Sequence, residues 1–183
     1  MKNSIGKDAL KLSISKVITM SISMITTMIL SRFRSLEEYG TYSQLMMIIN
    51  IATTIFSLGL PNSTNFFLAR AENLKEKKKF VDNFYSFSTI LSLFTCITLV
   101  LLTSSFMRYF DNKLIKSFWF ILATIPWTNI IMSSIDNVLI VSGKASRLMF
   151  FRIINSIGLL LAVILSCIFE LNFYQYMVMF VII

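Results

Sequence analysis

Few side chains in this sequence are equipped for chemistry. There is no histidine among its 183 residues, which removes Ser-His-Asp and Cys-His nucleophile systems, histidine proton relays and histidine metal sites. Cys96 and Cys167 sit in hydrophobic runs with no neighbour at metal-ligand spacing. A thiol in such surroundings acts as a small hydrophobe, so both read as packing residues. Glu37 and Glu38 resemble a carboxylate pair, but adjacent residues do not face one another. Beside Arg32 and Arg34 they read as helix-start charges and surface pairs. No residue set supports covalent chemistry, and no cofactor or metal is implied. The chain is expected not to be an enzyme.

Asp136 is the sharpest residue. It lies seven positions before Gly143 in a run with no other charge, which puts it about 10 Å along a helix from that turn. An ionisable group at such depth is costly, is usually paired, and is functional by default. Arg152 lies nine positions beyond the same glycine, about 13 Å along the next helix. An Asp136–Arg152 ion pair is therefore expected ahead of a proton-coupling or substrate role, and the two roles are compatible.

Weaker polar groups fall three and four residues apart, the spacing that shares a helix face. One line is Ser15, Thr19, Ser23 and Thr26. A second is Asn50, Thr54, Ser57, Pro61 and Asn65. A third is Ser88, Ser92 and Thr95, and a fourth is Pro126, Asn129, Ser133 and Asp136. Any single line is explained by small residues that let helices pack closely. Four together favour a shared hydrophilic cavity, because Asn50, Asn129 and Asp136 are not small packing residues. Ser23, Thr54 and Arg152 complete the candidate set.

The elements that must position these groups are long apolar runs. The chain is 56% hydrophobic and 14% charged, with a mean hydropathy of +0.74. A soluble domain is about a quarter charged, so this composition belongs to the membrane class. A spanning helix needs roughly 20 apolar residues. Such runs are read at 12–30, 41–69, 83–107, 117–143 and 153–169, with a sixth beginning near Phe173. Pro61 is expected to kink the second run. The intervening polar stretches, including 70–82 with its Lys75 to Lys79 cluster and 108–116, read as loops. The first run is longer than a signal-peptide core, no small-residue cleavage site follows it, and Arg32 and Arg34 close it; a cleaved leader is rejected. The sixth run stops at Ile183 in mid-hydrophobic sequence, so residues 1–183 are expected to be one transmembrane lobe cut within its sixth span. The fold class expected is an all-α membrane bundle of about six spans.

The net charge of +8 does not indicate nucleic acid. A nucleic-acid domain lines its cations along a face among aromatics, whereas here they cluster between uncharged runs. With the N-terminus inside, twelve Lys and Arg fall on the cytoplasmic side and five on the other. The positive-inside rule then makes the N-terminus cytoplasmic and the Arg32 to Gly40 stretch external. The Lys75 to Lys79 cluster reads as facing anionic lipid.

The stretch Leu36-Glu37-Glu38-Tyr39-Gly40-Thr41-Tyr42, followed by a run ending Leu58-Gly59-Leu60-Pro61, resembles the polysaccharide repeat-unit flippases. These belong to the multidrug/oligosaccharidyl-lipid/polysaccharide exporter superfamily. The resemblance covers about the first half of such a protein and marks Glu37, Glu38, Tyr39, Gly40, Gly59 and Pro61 as its signature, with no chemistry of their own. It implies one lobe of a two-lobe transporter in the bacterial cytoplasmic membrane. It further implies alternating access against a C-terminal lobe of the same protein. The substrate would be an undecaprenyl-diphosphate-linked oligosaccharide destined for O-antigen or capsule, whose sugar hydroxyls the cavity could hydrogen-bond. Membrane lipids are the other partner. The alternatives are a multidrug or cation antiporter of the same superfamily, which Asp136 would suit, and a structural membrane subunit.

Overall fold

The computed structural model describes residues 2–57, 59, 63, 66–68, 70 and 73–182. Among the described residues the secondary structure is helical throughout, with no strand. The long helices are α1 (Lys2–Phe33), α2 (Leu36–Phe56), α3 (Leu74–Tyr109), α5 (Trp119–Val141) and α6 (Ala145–Ile168). Two shorter ones are α4 (Leu114–Ser117) and α7 (Phe173–Ile182). The chain divides into two compact units, Met1–Gly40 with Gly143–Ile183, and Thr41–Ser142.

In the first unit α1 packs along α6, and the two run parallel. Near their starts Lys11 Nζ donates to Ser146 Oγ at 2.9 Å; beyond their ends Arg34 Nη1 donates to the Leu171 carbonyl at 2.9 Å. Ser15 and Leu30 on α1, and Ala145, Leu148, Ala162, Val163 and Ser166 on α6, are buried. The opposite side of α1 is open: Met20, Met24 and Met28 are 62%, 67% and 61% exposed, as an apolar face must be if lipid or another element covers it. α7 returns onto α6 and buries Phe173, Tyr176 and Met177.

Only Arg34 and Ser35 separate α1 from α2. Ser35 caps α2, its Oγ accepting from the Glu38 N–H at 3.2 Å while Glu38 Oε2 accepts from the Ser35 N–H at 3.3 Å. This reciprocal capping box satisfies two otherwise orphaned donors. The expected external loop up to Gly40 is thus a two-residue break. Glu37 and Glu38 sit in the first turn of α2, where carboxylates favour the positive end of the helix.

In the second unit α3 packs against α5. The buried seam of α3 is Phe84, Ser88, Ser92, Thr95, Cys96, Leu99 and Thr103, facing Ile121, Leu122 and Ile130 of α5. Cys96 of α3 lies beside the Trp127 backbone of α5, so residues on either side of the connection meet, as in an antiparallel hairpin. Pro126 lies inside α5 and removes one rung of its hydrogen-bond ladder. At the end of α3, Asp111 takes φ 48° and the Asn112 N–H reaches the Met107 carbonyl at 3.1 Å. That is a Schellman closure with an aspartate in the position usually given to glycine. Asn112 Nδ2 then donates to Thr41 Oγ1 and Gln44 Oε1, both at 2.8 Å, and Asn112 Oδ1 accepts from the Leu114 N–H at 3.0 Å. One side chain pins the hairpin connection to α2.

The polar stretch expected as a loop over 70–82 is helical from Leu74 onward. Asn73 caps it through the Glu76 N–H at 3.4 Å. Its 36 residues make about 54 Å of helix, well beyond the roughly 30 Å of a hydrocarbon core. The Lys75 to Lys79 cluster is therefore the head of a rigid rod. Before it, the Arg70 guanidinium lies 3.7 Å from the Phe66 ring centre, and Phe67 meets Phe80 at 5.2 Å. α2 ends at Phe56 and Gly59 takes φ 69°, so the second run does not continue as one helix towards Pro61. Pro61 itself, with its expected kink, lies outside the described residues, as does Asn65.

Three segments are long and apolar enough to cross a bilayer by length and composition: Asp8–Phe33, Lys75–Tyr109 and Ala145–Ile168. With the helical architecture, this makes the fold an all-α membrane bundle.

Candidate functional site

The polar lines separate into two kinds. Ser88, Ser92 and Thr95 are fully buried in the α3–α5 seam, and Ser15 is fully buried against α6. Their hydroxyls serve their own helix where they bond at all: Ser15 to the Leu12 carbonyl, Ser92 to Thr89, Thr95 to Leu91. Thr19 and Thr26 do the same on the part-buried side of α1. These residues let helices approach closely, the ordinary work of small side chains in membrane bundles.

The other kind stays open. Ser23 on α1, Asn50 and Thr54 on α2, and Asn129 on α5 are all exposed. Thr54 Oγ1 donates to the Asn50 carbonyl at 2.7 Å; the Asn50 and Asn129 amides are both presented at the surface of the second unit. Asp136 on α5 and Arg152 on α6 are each half-buried and belong to different units.

A site that the polar lines do not indicate lies wholly within the first unit. A cleft of about 410 Å³ is walled by Phe33 and Arg34 at the end of α1, and by Glu38 in the first turn of α2. Ser166 and Cys167 of α6, and the turn from Glu170 to Phe173, complete it. Arg34 is its central group. Besides the Leu171 hydrogen bond, its guanidinium stacks 5.6 Å from the centre of the Tyr176 ring, a cation–π contact that helps hold it there. Its Nε and Nη2 are shut off from solvent and have no hydrogen-bond partner among the described residues. Leaving a buried donor unmade costs about 1–3 kcal/mol, more for a charged group.

The turn in the cleft wall is strained. Glu170 takes φ 49°, with the Leu171 N–H on the Ser166 carbonyl at 3.0 Å, a second Schellman closure without glycine. A left-handed backbone at a residue with a Cβ costs about 1–2 kcal/mol. Asn172 then starts α7, its N–H donating to Gln175 Oε1 at 3.0 Å. From sequence Arg34 reads as one of several surface charges, and Glu170 lies just past the fifth apolar run. The available signal was an arginine in a two-residue break between helices, where a side chain cannot reach far into water on both sides.

Among the described residues no group of three or more His, Cys, Asp or Glu is arranged to hold a metal ion. The model of one protein family, described as polysaccharide biosynthesis protein, matches residues 5–183. No curated protein and no solved structure matches the chain.

Proposed function

Because the chain belongs to the polysaccharide biosynthesis protein family, we propose that it is a lobe of a membrane transporter. Its substrate would be an undecaprenyl-diphosphate-linked oligosaccharide repeat unit, passed from the cytoplasmic to the outer leaflet. The observation that carries this reading is a family match along almost the whole of an apolar helical chain. The open amides and hydroxyl at Asn50, Thr54 and Asn129 support it: in lipid an exposed amide is costly, so these faces are better suited to a hydrated path. Sugar hydroxyls, which both donate and accept, suit such groups. Alternating access would set this lobe against a second one in the same protein.

The helix directions support a count of about six spans. α1 and α6 run parallel, so the chain must return to the starting side of the membrane between them. α3 is long enough to cross, and α5 packs back along it. A crossing by α2 fits that count, its 21 residues giving about 31 Å. Together with α7 this makes about six spans, with the lysine-rich head of α3 and the N-terminus cytoplasmic. Cysteine placed at exposed Lys77 should resist an impermeant maleimide applied outside, and cysteine at exposed Lys113 should react. The reverse pattern overturns the orientation.

The function is tested by deleting the gene in its bacterial host. Loss of surface polysaccharide with accumulation of its lipid-linked precursor is expected, reversed by the wild-type gene. Intact surface polysaccharide, or loss without precursor accumulation, refutes the reading. A second reading, ion-coupled export of a small cation, is favoured only by Asp136. Asp136→Asn would abolish such export.

A further inference from the structure

We propose that the head of α3 is a discrete binding site for one anionic phospholipid, its phosphate on Lys75, Lys78 and Lys79 and an acyl chain along the exposed side of the helix below them. Such a site needs only the membrane fold and is independent of what is transported. α3 begins at Leu74, so these lysines stand on rigid helix, and all three are exposed. Lys75 and Lys79 are one turn apart, and Ser86, Ile90, Ile97 and Leu101 continue the same side at intervals of seven and four. Ile90, Ile97 and Leu101 are 66%, 59% and 76% exposed. The buried seam through Phe84 and Ser88 lies on the other side. One side of the helix thus carries cations at its head and an apolar wall from Ile90 onward.

Depth and charge select the occupant. Residues 83–107 carry no charge and make about 37 Å of helix, more than the roughly 30 Å of a hydrocarbon core. Lys79 lies four residues outside that stretch, about 6 Å along the helix, at the level of the headgroups. From Lys79 to Ile90 is about 16 Å, the depth of the chains of one leaflet. Four lysines against Glu76 and Asp82 leave this head positive. Glu76 is engaged by the Asn73 amide at 3.4 Å, and among the described residues no ion pair ties Lys75, Lys78 or Lys79. The segment before α3 adds Arg70, held over the Phe66 ring, while Phe67 against Phe80 sets that segment beside the head. Phe66 and Phe67 are both half exposed, as rings that enter the chain region must be. A zwitterionic headgroup would place its ammonium among these cations, whereas an anionic one presents phosphate alone. A flexible loop would draw anionic lipid diffusely; a helix fixes which lysines meet the phosphate.

The test is native mass spectrometry of the full chain in detergent micelles, titrated with phosphatidylglycerol and, separately, with phosphatidylcholine of the same chains. The first phosphatidylglycerol should bind at least about tenfold more tightly than phosphatidylcholine. Lys79→Gln should weaken it about fivefold, the effect of one cation at the membrane surface. Lys75→Gln, Lys78→Gln and Lys79→Gln together should abolish the preference. Lys77→Gln is the control: it removes the same charge about 160° round the helix from Lys79, over the seam, and should leave the affinity unchanged. All four lysines are exposed, so the variants should unfold at the wild-type temperature. Equal affinity for the two lipids overturns the proposal. So does equal weakening by Lys77→Gln and Lys79→Gln, the mark of diffuse attraction. Displacement of the lipid by excess inorganic phosphate overturns it by making this a site for free anions. Undecaprenyl phosphate binding more tightly than phosphatidylglycerol, and losing affinity in Lys79→Gln, also overturns it and gives these lysines to the transported lipid. Export lost on other grounds leaves the lipid site standing, because binding is read directly.

Discussion

Ser88→Ala should stabilise the protein. Ser88 is fully buried between α3 and α5, and its Oγ has no hydrogen-bond partner among the described residues. An unmade buried hydroxyl costs about 1–3 kcal/mol. Removing one oxygen leaves a void of roughly 10 Å³, worth about 0.2 kcal/mol at the measured cavity penalty. The relief exceeds the loss, for a net gain of about 1 kcal/mol and a rise of about 2–4 °C in Tm at this chain length. Ser92→Ala is the control: its hydroxyl is already bonded to the Thr89 carbonyl at 2.8 Å, so its removal should change little. The assay is thermal unfolding of the purified protein in nanodiscs, beside polysaccharide export in cells. A fall in Tm for Ser88→Ala, or export lost with folding intact, would refute the packing role of this line. It would return Ser88 to the hydrophilic path.

Three further changes probe the ends of helices. Ser35→Ala removes one arm of the capping box and should cost about 1 kcal/mol, seen as a lower Tm; no change would show that the box adds nothing in the membrane setting. Glu170→Gly relieves the left-handed backbone at φ 49° and should raise Tm by an amount equivalent to about 1 kcal/mol, while a decrease would mean that the carboxylate itself stabilises the fold. Asn112→Ala strips three hydrogen bonds from the connection between α3 and α4 and should cost about 1–3 kcal/mol. Faster proteolysis at 110–114 would report it, and unchanged cleavage would refute the pinning role.

The helices were legible because lipid demands long uncharged runs, and those runs survive any error about their ends. The ends were harder. Asn73-x-x-Glu76 is the same pattern as Ser35-x-x-Glu38, and both start helices, yet the lysines beside the former made it read as a loop. Solvated lysines are as compatible with a helix as with a coil, since the straight-chain residues are good helix formers. Charge alone could not place that boundary. The face of a helix was also only half readable. At 100° per residue Ser23 stands about 80° from Ser15, so a line drawn through both leaves the packed side of α1 before it reaches Ser23. The buried Ser15 and the exposed Ser23 are that drift made visible.

The Arg34 cleft was beyond reach of spacing arguments altogether. Its parts lie 137 residues apart, and they meet because α1 and α6 run parallel and end at the same level. Parallel packing puts the carbonyl end of α6 beside the arginine that closes α1, so the Leu171 oxygen takes one of its donors. The other two guanidinium nitrogens, Nε and Nη2, are buried without a partner among the described residues. Leaving those donors unmade is costly, and the Leu171 hydrogen bond and the contact with Tyr176 offset part of that cost. Asn112, equally buried in a helix connection, differs: its side-chain amide donates to Thr41 and Gln44 and accepts from the Leu114 N–H, all within the chain.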